Sequence, residues 1–243
     1  NSMIFQRARD FVTIFHDEAR FFMASAEPKP FSGPVTVFHE KRLPEMGKPA
    51  GYAALIDAYE LKAPLPLTLS AIGAKHRTIE QGGWKFYSPR HEPQATLEGH
   101  LTFALKYEGL DLAVLSRLFD VVGPDEIEAI VRAKPTGTYG RRIWFLYEWL
   151  TGKTLKLPAA KKGNYVAALD PKLQYEGNPS ASQRHRVRNN LPGTREFCPL
   201  VFRTKELDQF LAMDLAARAR EIVADVPGDL LARTAAFPLL RHS

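Results

Sequence analysis

Cysteine and long apolar runs are the features that this sequence most clearly lacks. Its 243 residues include a single cysteine, Cys198, so an internal disulfide is excluded and a reducing compartment is favoured. The longest weakly polar stretch, residues 63–74, is interrupted by Pro66 and by hydroxyl side chains, so no segment is predicted to span a bilayer. We therefore expect a cytoplasmic protein without a membrane partner.

The common signatures of catalytic and metal sites are also missing. There is no His-Glu-x-x-His pair and no Gly-x-Ser-x-Gly turn. The segment Gly152-Lys153-Thr154 has Tyr147 where a phosphate-binding loop needs its first glycine, and we interpret Gly152 as the end of a helix. The sequence therefore identifies no catalytic residue and no metal ligand, and it leaves open whether the chain is an enzyme.

The composition is that of an average globular protein, but its charge is unevenly distributed. Hydrophobic residues make up 45% and charged residues 25% of the chain, which is long enough to bury a core. The formal net charge is +6, yet residues 132–195 contain 13 basic and 3 acidic side chains, a local excess of +10. Clustered positive charge favours a phosphate ligand or an acidic partner surface.

Residue patterns divide the chain into four predicted parts. Apolar residues at helical spacing, followed by prolines and glycines, predict an amino-terminal helix and a linker over residues 1–50. Residues 51–152 predict a helical domain with a small hairpin. Residues 153–203 show no periodicity and predict an irregular basic segment that wraps a surface. Residues 204–243 predict a further helical segment.

The predicted fold class is mainly α: a compact helical bundle with a small hairpin and a long irregular basic segment. Thr96, Asp111 and Thr204 are predicted helix caps, and Gln81-Gly82-Gly83 predicts a hairpin turn. We also expect two short helices before that hairpin, one beginning at Tyr52 and one over residues 67–72. Helix, helix, hairpin is the order of a winged-helix-like block.

The candidate anion- or partner-binding residues belong to a basic loop, residues 184–195, and to an arginine pair upstream of it. Arginine forks bind phosphate or carboxylate oxygens bidentately, and asparagine adds donors and acceptors. A solvated loop, or arginines that tie irregular backbone to the bundle, is the structural alternative. The candidates are Arg141, Arg142, Arg184, His185, Arg186, Arg188, Asn189, Asn190 and Arg195.

Four stretches of the sequence, taken together, resemble a known family. They are residues 134–137, 142–152, 163–171 and 184–194. They resemble the amino-terminal region of long bacterial Fic-family (Fic/DOC) proteins. In that family a separate core, further along the chain, transfers AMP from ATP to a protein hydroxyl with Mg²⁺ on the phosphates. None of the seven histidines here is followed by proline, so the core signature His-Pro-Phe-x-x-Gly-Asn-Gly-Arg is absent.

The resemblance implies a scaffold and recognition region of a Fic AMP transferase. We expect no cofactor in this chain, since ATP and Mg²⁺ are implied only for a longer parent that carries the core. The implied partners are that missing core or a target protein, with an acidic protein or a phosphate group as the ligand of the basic loop. A nucleic-acid-binding regulator, using the winged-helix-like block and the basic loop, is the alternative.

Overall fold

A computed structural model describes residues 28–224, and the predicted helices before and after that range lie outside it. The eight strands of the described part are β1 (Val35–Phe38), β2 (Lys41–Ala50), β3 (Leu69–Ile72), β4 (Ile79–Gln81), β5 (Trp84–Tyr87), β6 (Val166–Ala167), β7 (Ser180–Ser182) and β8 (Val187–Asn189). Its helices are α1 (Tyr52–Ala58), α2 (Leu97–Phe103), α3 (Leu112–Val121), α4 (Pro124–Ala133), α5 (Thr138–Thr151), α6 (Lys205–Ala212) and α7 (Leu215–Val223).

The first five strands form one sheet in the order β1-β2-β3-β5-β4. All pairs are antiparallel except β3 with β5, which run parallel. Strands β1 and β2 fall in the region expected to be a Pro/Gly-rich linker. Gly47 lets β2 lie close to the rest of the sheet, because a Cβ there would stand 3.0 Å from both the Ala71 methyl of β3 and the Phe86 ring of β5.

The hairpin prediction is confirmed, but the winged-helix-like block is not formed. Strands β4 and β5 pair with Gln81 opposite Trp84, and Gly82 and Gly83 take the positive φ values of 59° and 76° that the turn needs. The expected second helix over residues 67–72 is instead strand β3, buried along its whole length between β2 and β5. A short apolar run is compatible with a helix or with a strand. Here the run forms a strand because it is buried on both faces of the sheet.

The helix caps predicted at Thr96, Asp111 and Thr204 are confirmed. Thr96 accepts a hydrogen bond from Gly99 N, and Asp111 accepts one from Val114 N. Thr204 caps α6 in the same way, and Pro124 occupies the first turn of α4. Gly152 ends α5 in the left-handed conformation, which confirms that it is a helix cap.

The prediction of a mainly α bundle is wrong: the fold is mixed α/β with a five-stranded and a three-stranded sheet. Helices α1 to α5 supply most of the largest apolar core, with Trp144 and Tyr147 of α5 among its biggest buried side chains. A second core, around Phe38 and Trp84, lies against the large sheet. The sheet was not predicted because four of its five strands are only three or four residues long and the fifth, β2, carries Pro44, Gly47 and Pro49.

The segment expected to be an irregular basic wrap contains the small sheet, in the order β6-β8-β7. Strand β8 lies in the centre, parallel to β6 and antiparallel to β7. The rest of residues 153–201 has no regular structure, and Leu155, Leu157, Leu169 and Leu191 insert into the main core. We call residues 153–201 the wrap.

Contacts divide the chain into two units, and the boundary in the sequence lies between Val201 and Phe202. In the second unit, the helical segment predicted from residue 204 is divided into α6 and α7, because the helix breaks at Asp214, which has a positive φ of 44°. Among residues 28–224, no helix combines the length and the apolar character that a membrane crossing requires.

Candidate functional site

Arg142, on α5, is a buried link between the helices and the wrap. It donates from Nε and Nη2 to the Ala168 carbonyl, at 3.1 and 2.9 Å, and from Nη1 to the Leu105 carbonyl at 3.3 Å. Its guanidinium carbon also lies over the Tyr139 ring, 5.5 Å from the ring centre. Burial lowers the pKa of this guanidinium. Arg142 therefore holds backbone carbonyls and is inaccessible to a ligand.

Arg141, the preceding residue on α5, also donates hydrogen bonds to backbone carbonyls of the wrap. Its Nη1 donates to the carbonyls of Asn164, at 2.8 Å, and of Arg186, at 3.1 Å. The residue is buried, and burial lowers the pKa of its guanidinium. Arg141 therefore attaches the turn before β6 and the turn before β8 to α5, while Arg142 attaches the residue that follows β6.

Glu148, near the end of α5, collects the hydrogen bonds that fix the basic loop. Its Oε1 accepts from Trp144 Nε1 at 2.7 Å, from Leu155 N at 2.9 Å and from Arg184 Nη2 at 3.0 Å. Its Oε2 accepts from Arg184 Nε at 3.1 Å and faces His185 Nε2 at 2.9 Å. Burial alone would raise the pKa of Glu148, but the hydrogen bonds from Arg184 and Trp144 outweigh it and the pKa is lowered.

Ser182, His185 and Glu148 form a hydrogen-bonded chain in that order. Ser182 Oγ lies 2.7 Å from His185 Nδ1, and burial lowers the pKa of the imidazole, although Glu148 opposes the shift. In the neutral form, the ring donates from Nε2 to Glu148 and accepts from the serine hydroxyl at Nδ1. Because Arg184 already neutralises Glu148, this chain is suited to holding the turn between β7 and β8 and not to activating Ser182. Sequence reasoning missed Glu148 and Ser182; only the Ser-x-x-His spacing signals the pair.

The buried asparagine of the basic loop also serves the backbone. Asn190 accepts from Leu169 N at 2.9 Å and donates to Leu169 O at 3.0 Å, while the Asn189 side chain accepts from Leu191 N. Gln174, which the sequence did not single out, makes the matching pair of bonds to the N–H and carbonyl of Leu110. The side-chain amides of Asn190 and Gln174 thus supply the hydrogen bonds that a neighbouring strand supplies to regular backbone.

Arg195 lies at the carboxyl end of α5. Its Nη2 approaches the Thr151 carbonyl at 3.4 Å, and its guanidinium covers Gly152, where any side chain would collide with it. A cation at this end of a helix is favoured by the helix dipole. Arg195 is exposed but is committed to the end of this helix.

The remaining predicted residues, Arg186 and Arg188, belong to an exposed basic surface. Arg188 projects from the centre of the small sheet and, of the residues in the range 28–224, none forms a hydrogen bond or ion pair with its side chain. Arg186 lies over the exposed Tyr165 ring, 5.0 Å from its centre. We define the basic surface as these three residues with Lys161 and Lys162, which are both exposed.

Hydrogen bonds bring these five residues into one neighbourhood. Arg186 Nε donates to the Gly163 carbonyl at 2.6 Å, and Val166 N donates to the Arg186 carbonyl at 3.2 Å. The turn that carries Lys161 and Lys162 is therefore attached directly to the start of β8. Sequence reasoning found the arginines but missed the lysines and Tyr165, which stand outside the arginine-rich loop.

Exposed charge over the wrap is strongly one-sided. Its exposed acidic side chains are Glu176 and Glu196. Its exposed basic side chains are Lys153, Lys156, Lys161, Lys162, Lys172, Arg188 and Arg195. The tethering arginines, Arg141, Arg142 and Arg184, hold backbone carbonyls or Glu148, and the exposed side chains of the wrap leave a positive surface beside them.

A second titratable centre lies where the large sheet meets the helices. Glu108 ends a π-helical turn, and its Oε2 accepts from Tyr52 N at 2.9 Å. Burial raises its pKa from 4.5 to about 7, although hydrogen bonds from Tyr52 N and the Ser70 hydroxyl oppose the shift. Gly51 makes room for the carboxyl group, because a Cβ there would overlap it.

No described residues form a group of three or more histidine, cysteine, aspartate or glutamate side chains placed to hold a metal ion. No family model matches this chain, and no curated protein and no solved structure was found to match it. The basic surface is therefore identified by its own geometry and charge.

Proposed function

We propose that this chain is a non-catalytic recognition module, the amino-terminal scaffold and recognition region of a Fic-type AMP transferase, and that it binds an acidic face of a protein. The observation that carries the proposal is the separation of the basic residues into two sets. Arg141, Arg142 and Arg184 hold the wrap, while Arg188, Lys161 and Lys162 are exposed and without partners among residues 28–224. The buried and paired arginines hold the backbone of the wrap in place, and the exposed cations lie on the surface of that backbone.

An acidic protein fits the basic surface better than nucleic acid does. The nucleic-acid alternative needs a recognition helix, and residues 69–72 form β3 at the expected place. It also gains from aromatic rings on which bases can stack, but Arg186 already lies over Tyr165. The exposed arginine and lysines suit carboxylates, which they can pair with at the rim of a protein interface.

The charge proposal is tested with two labelled probes, polyglutamate and a mixed-sequence DNA duplex, by fluorescence anisotropy at low salt. We expect the protein to bind polyglutamate, and the triple reversal K161E/K162E/R188E to weaken binding by about tenfold or more. The matched control K62E/R77E/R90E makes the same change in net charge at exposed positions elsewhere in the first unit. Equal losses in both variants, or binding of DNA alone, would contradict the proposal.

The Fic assignment has its own tests. Incubation of this chain with labelled ATP and Mg²⁺ is expected to transfer no AMP to any protein, and transfer would refute a non-catalytic role. The gene around this chain is expected to encode His-Pro-Phe-x-x-Gly-Asn-Gly-Arg downstream in the same frame. A complete reading frame without that signature would refute the parentage but not the recognition of acidic proteins.

A further inference from the structure

Strand β7 is an open edge of the small sheet. It pairs with β8 on one side, and within residues 28–224 no strand pairs with its other side. Ser180 and Ala181 are exposed, and the edge carries neither a proline nor a charged side chain. Such an edge offers unpaired backbone groups to an added strand.

The hydrogen bonds of β8 determine which residue of β7 faces outward. The Arg188 carbonyl accepts from Ala168 N at 2.9 Å, on the β6 side of the sheet. The backbone groups of Arg188 therefore face away from β7. Ala181 stands directly opposite Arg188 in the antiparallel pair of β7 and β8. Because the backbone groups of Arg188 face away, these two residues form no backbone hydrogen bond with each other. Consequently both the N–H and the carbonyl of Ala181 face the open edge.

The side chains of Arg188 and Ala181 lie on the same face of the sheet, because they are directly opposite each other. A strand added beside β7 would lie two strand spacings, roughly 10 Å, from β8. The small methyl of Ala181 leaves the Arg188 guanidinium free to extend across it. A glutamate or aspartate on the added strand, opposite Ala181, would meet that guanidinium.

We propose that β7 receives an extended acidic peptide as a fourth strand, bound through the Ala181 backbone and through a carboxylate paired with Arg188. This inference rests on the proposed recognition of acidic proteins and specifies its mode. Backbone hydrogen bonds supply affinity that does not depend on sequence, while Arg188 selects the acidic side chain. Arg186, in the turn just before β8, adds positive charge nearby.

The test uses a labelled peptide of alternating valine and glutamate and four proteins: wild type, Ala181→Pro, Ala181→Ser and Arg188→Glu. Proline removes the outward N–H, and an edge strand tolerates it because that N–H makes no bond within the sheet. We expect Ala181→Pro and Arg188→Glu each to weaken binding by about tenfold. Ala181→Ser keeps the donor and is expected to bind as wild type does.

Hydrogen exchange gives a second readout that does not require the proline variant to fold. The Ala181 amide of the wild-type protein is expected to exchange more slowly when the peptide is bound. Loss of binding in Arg188→Glu, with Ala181→Pro equal to wild type and the Ala181 amide unprotected, would overturn strand addition and leave charge recognition intact. No binding of either the peptide or polyglutamate would overturn both proposals, as would preference for duplex DNA.

Discussion

The Arg142 guanidinium holds the Ala168 carbonyl with two of its nitrogens, at 3.1 and 2.9 Å. Both residues are buried, and the contact joins α5, the longest of the helices α1 to α5, to the wrap at the end of β6. A fully charged side chain is thus used to satisfy backbone that lacks a strand or helix partner. This use of arginine explains why a stretch with so strong a positive excess has fewer free cations than its sequence suggests.

Replacing Arg142 with methionine tests this tether. The change leaves the carbonyls of Ala168 and Leu105 without a donor, and hydrogen bonds to charged groups are worth about 1.5–3 kcal/mol each. We expect the free energy of unfolding to fall by about 3 kcal/mol in urea titrations. Arg188→Met is the matched control and should change stability by less than about 0.5 kcal/mol. Equal effects of the two variants would contradict the separation into tethering and free arginines.

Gly51 is predicted to be intolerant of any side chain. Its φ is 59°, and a Cβ would overlap the Glu108 carboxyl group and crowd the Phe103 ring. We expect Gly51→Ala to lower the free energy of unfolding by about 1–3 kcal/mol or more. Gly123→Ala is the control, because nothing lies within 4 Å of the added methyl. A thermal melt of Gly51→Ala that coincides with wild type would show that the Glu108 carboxyl is free to move.

Glu108 should make the protein less stable as the pH rises. Its pKa is about 7 in the folded protein against 4.5 ordinarily, so the folded state holds the proton more tightly. Stability is then lost between about pH 4.5 and about pH 7, by up to about 3 kcal/mol. Glu108→Gln keeps the shape without the charge, so its advantage over wild type should grow across that interval. An advantage that is constant with pH, in urea titrations of both proteins, would refute this assignment.

His100 should act in the opposite direction. It is 1% exposed, stacks on Phe31 with ring centres 4.3 Å apart, and neither ring nitrogen has a hydrogen-bond partner among the described residues. Burial, with a smaller contribution from Lys48, lowers its pKa from 6.5 to about 4, although Glu92 opposes the shift. Stability is therefore lost as the pH falls from about 6.5 to about 4, by up to about 3 kcal/mol.

The variant His100→Phe checks this prediction. Phenylalanine keeps the stack on Phe31 and removes two unsatisfied nitrogens, so we expect greater stability at neutral pH, by about 1 kcal/mol, and a larger gain in acid. Thermal unfolding across the acidic range measures both effects. A variant less stable than wild type at every pH would mean that the imidazole has a stabilising contact that its buried nitrogens do not reveal.

Local signals in the sequence were sufficient for much of the secondary structure. Hydroxyl and carboxyl caps such as Thr96 and Asp111, and the glycines of the β4–β5 turn, act within a few residues, so their pattern identifies them. The large sheet depends on contacts between distant residues. Leu69–Ile72 is a strand because β2 and β5 lie on both sides of it, and no local pattern reports those neighbours.

The candidate site was predicted as a set of residue types and not as an arrangement. Arginine composition does not distinguish a guanidinium that faces carbonyls, as in Arg142, from one that faces solvent, as in Arg188. That distinction is made by the fold: Arg142 lies on α5 against the wrap, whereas Arg188 lies on β8, which pairs with β6 on one side and with β7 on the other. The same pairing turns Ala181 outward, and a small apolar residue gives no chemical signal of this in the sequence.

We propose that Arg188, and not the tethering arginines, recognises an acidic partner. The most direct test is the affinity of the labelled valine–glutamate peptide for Arg188→Met, measured beside wild type at low salt. We predict an affinity lower by about fivefold, the upper range for an exposed charge pair, in a protein whose melting temperature is unchanged. An affinity equal to that of wild type, at the same melting temperature, would contradict the claim.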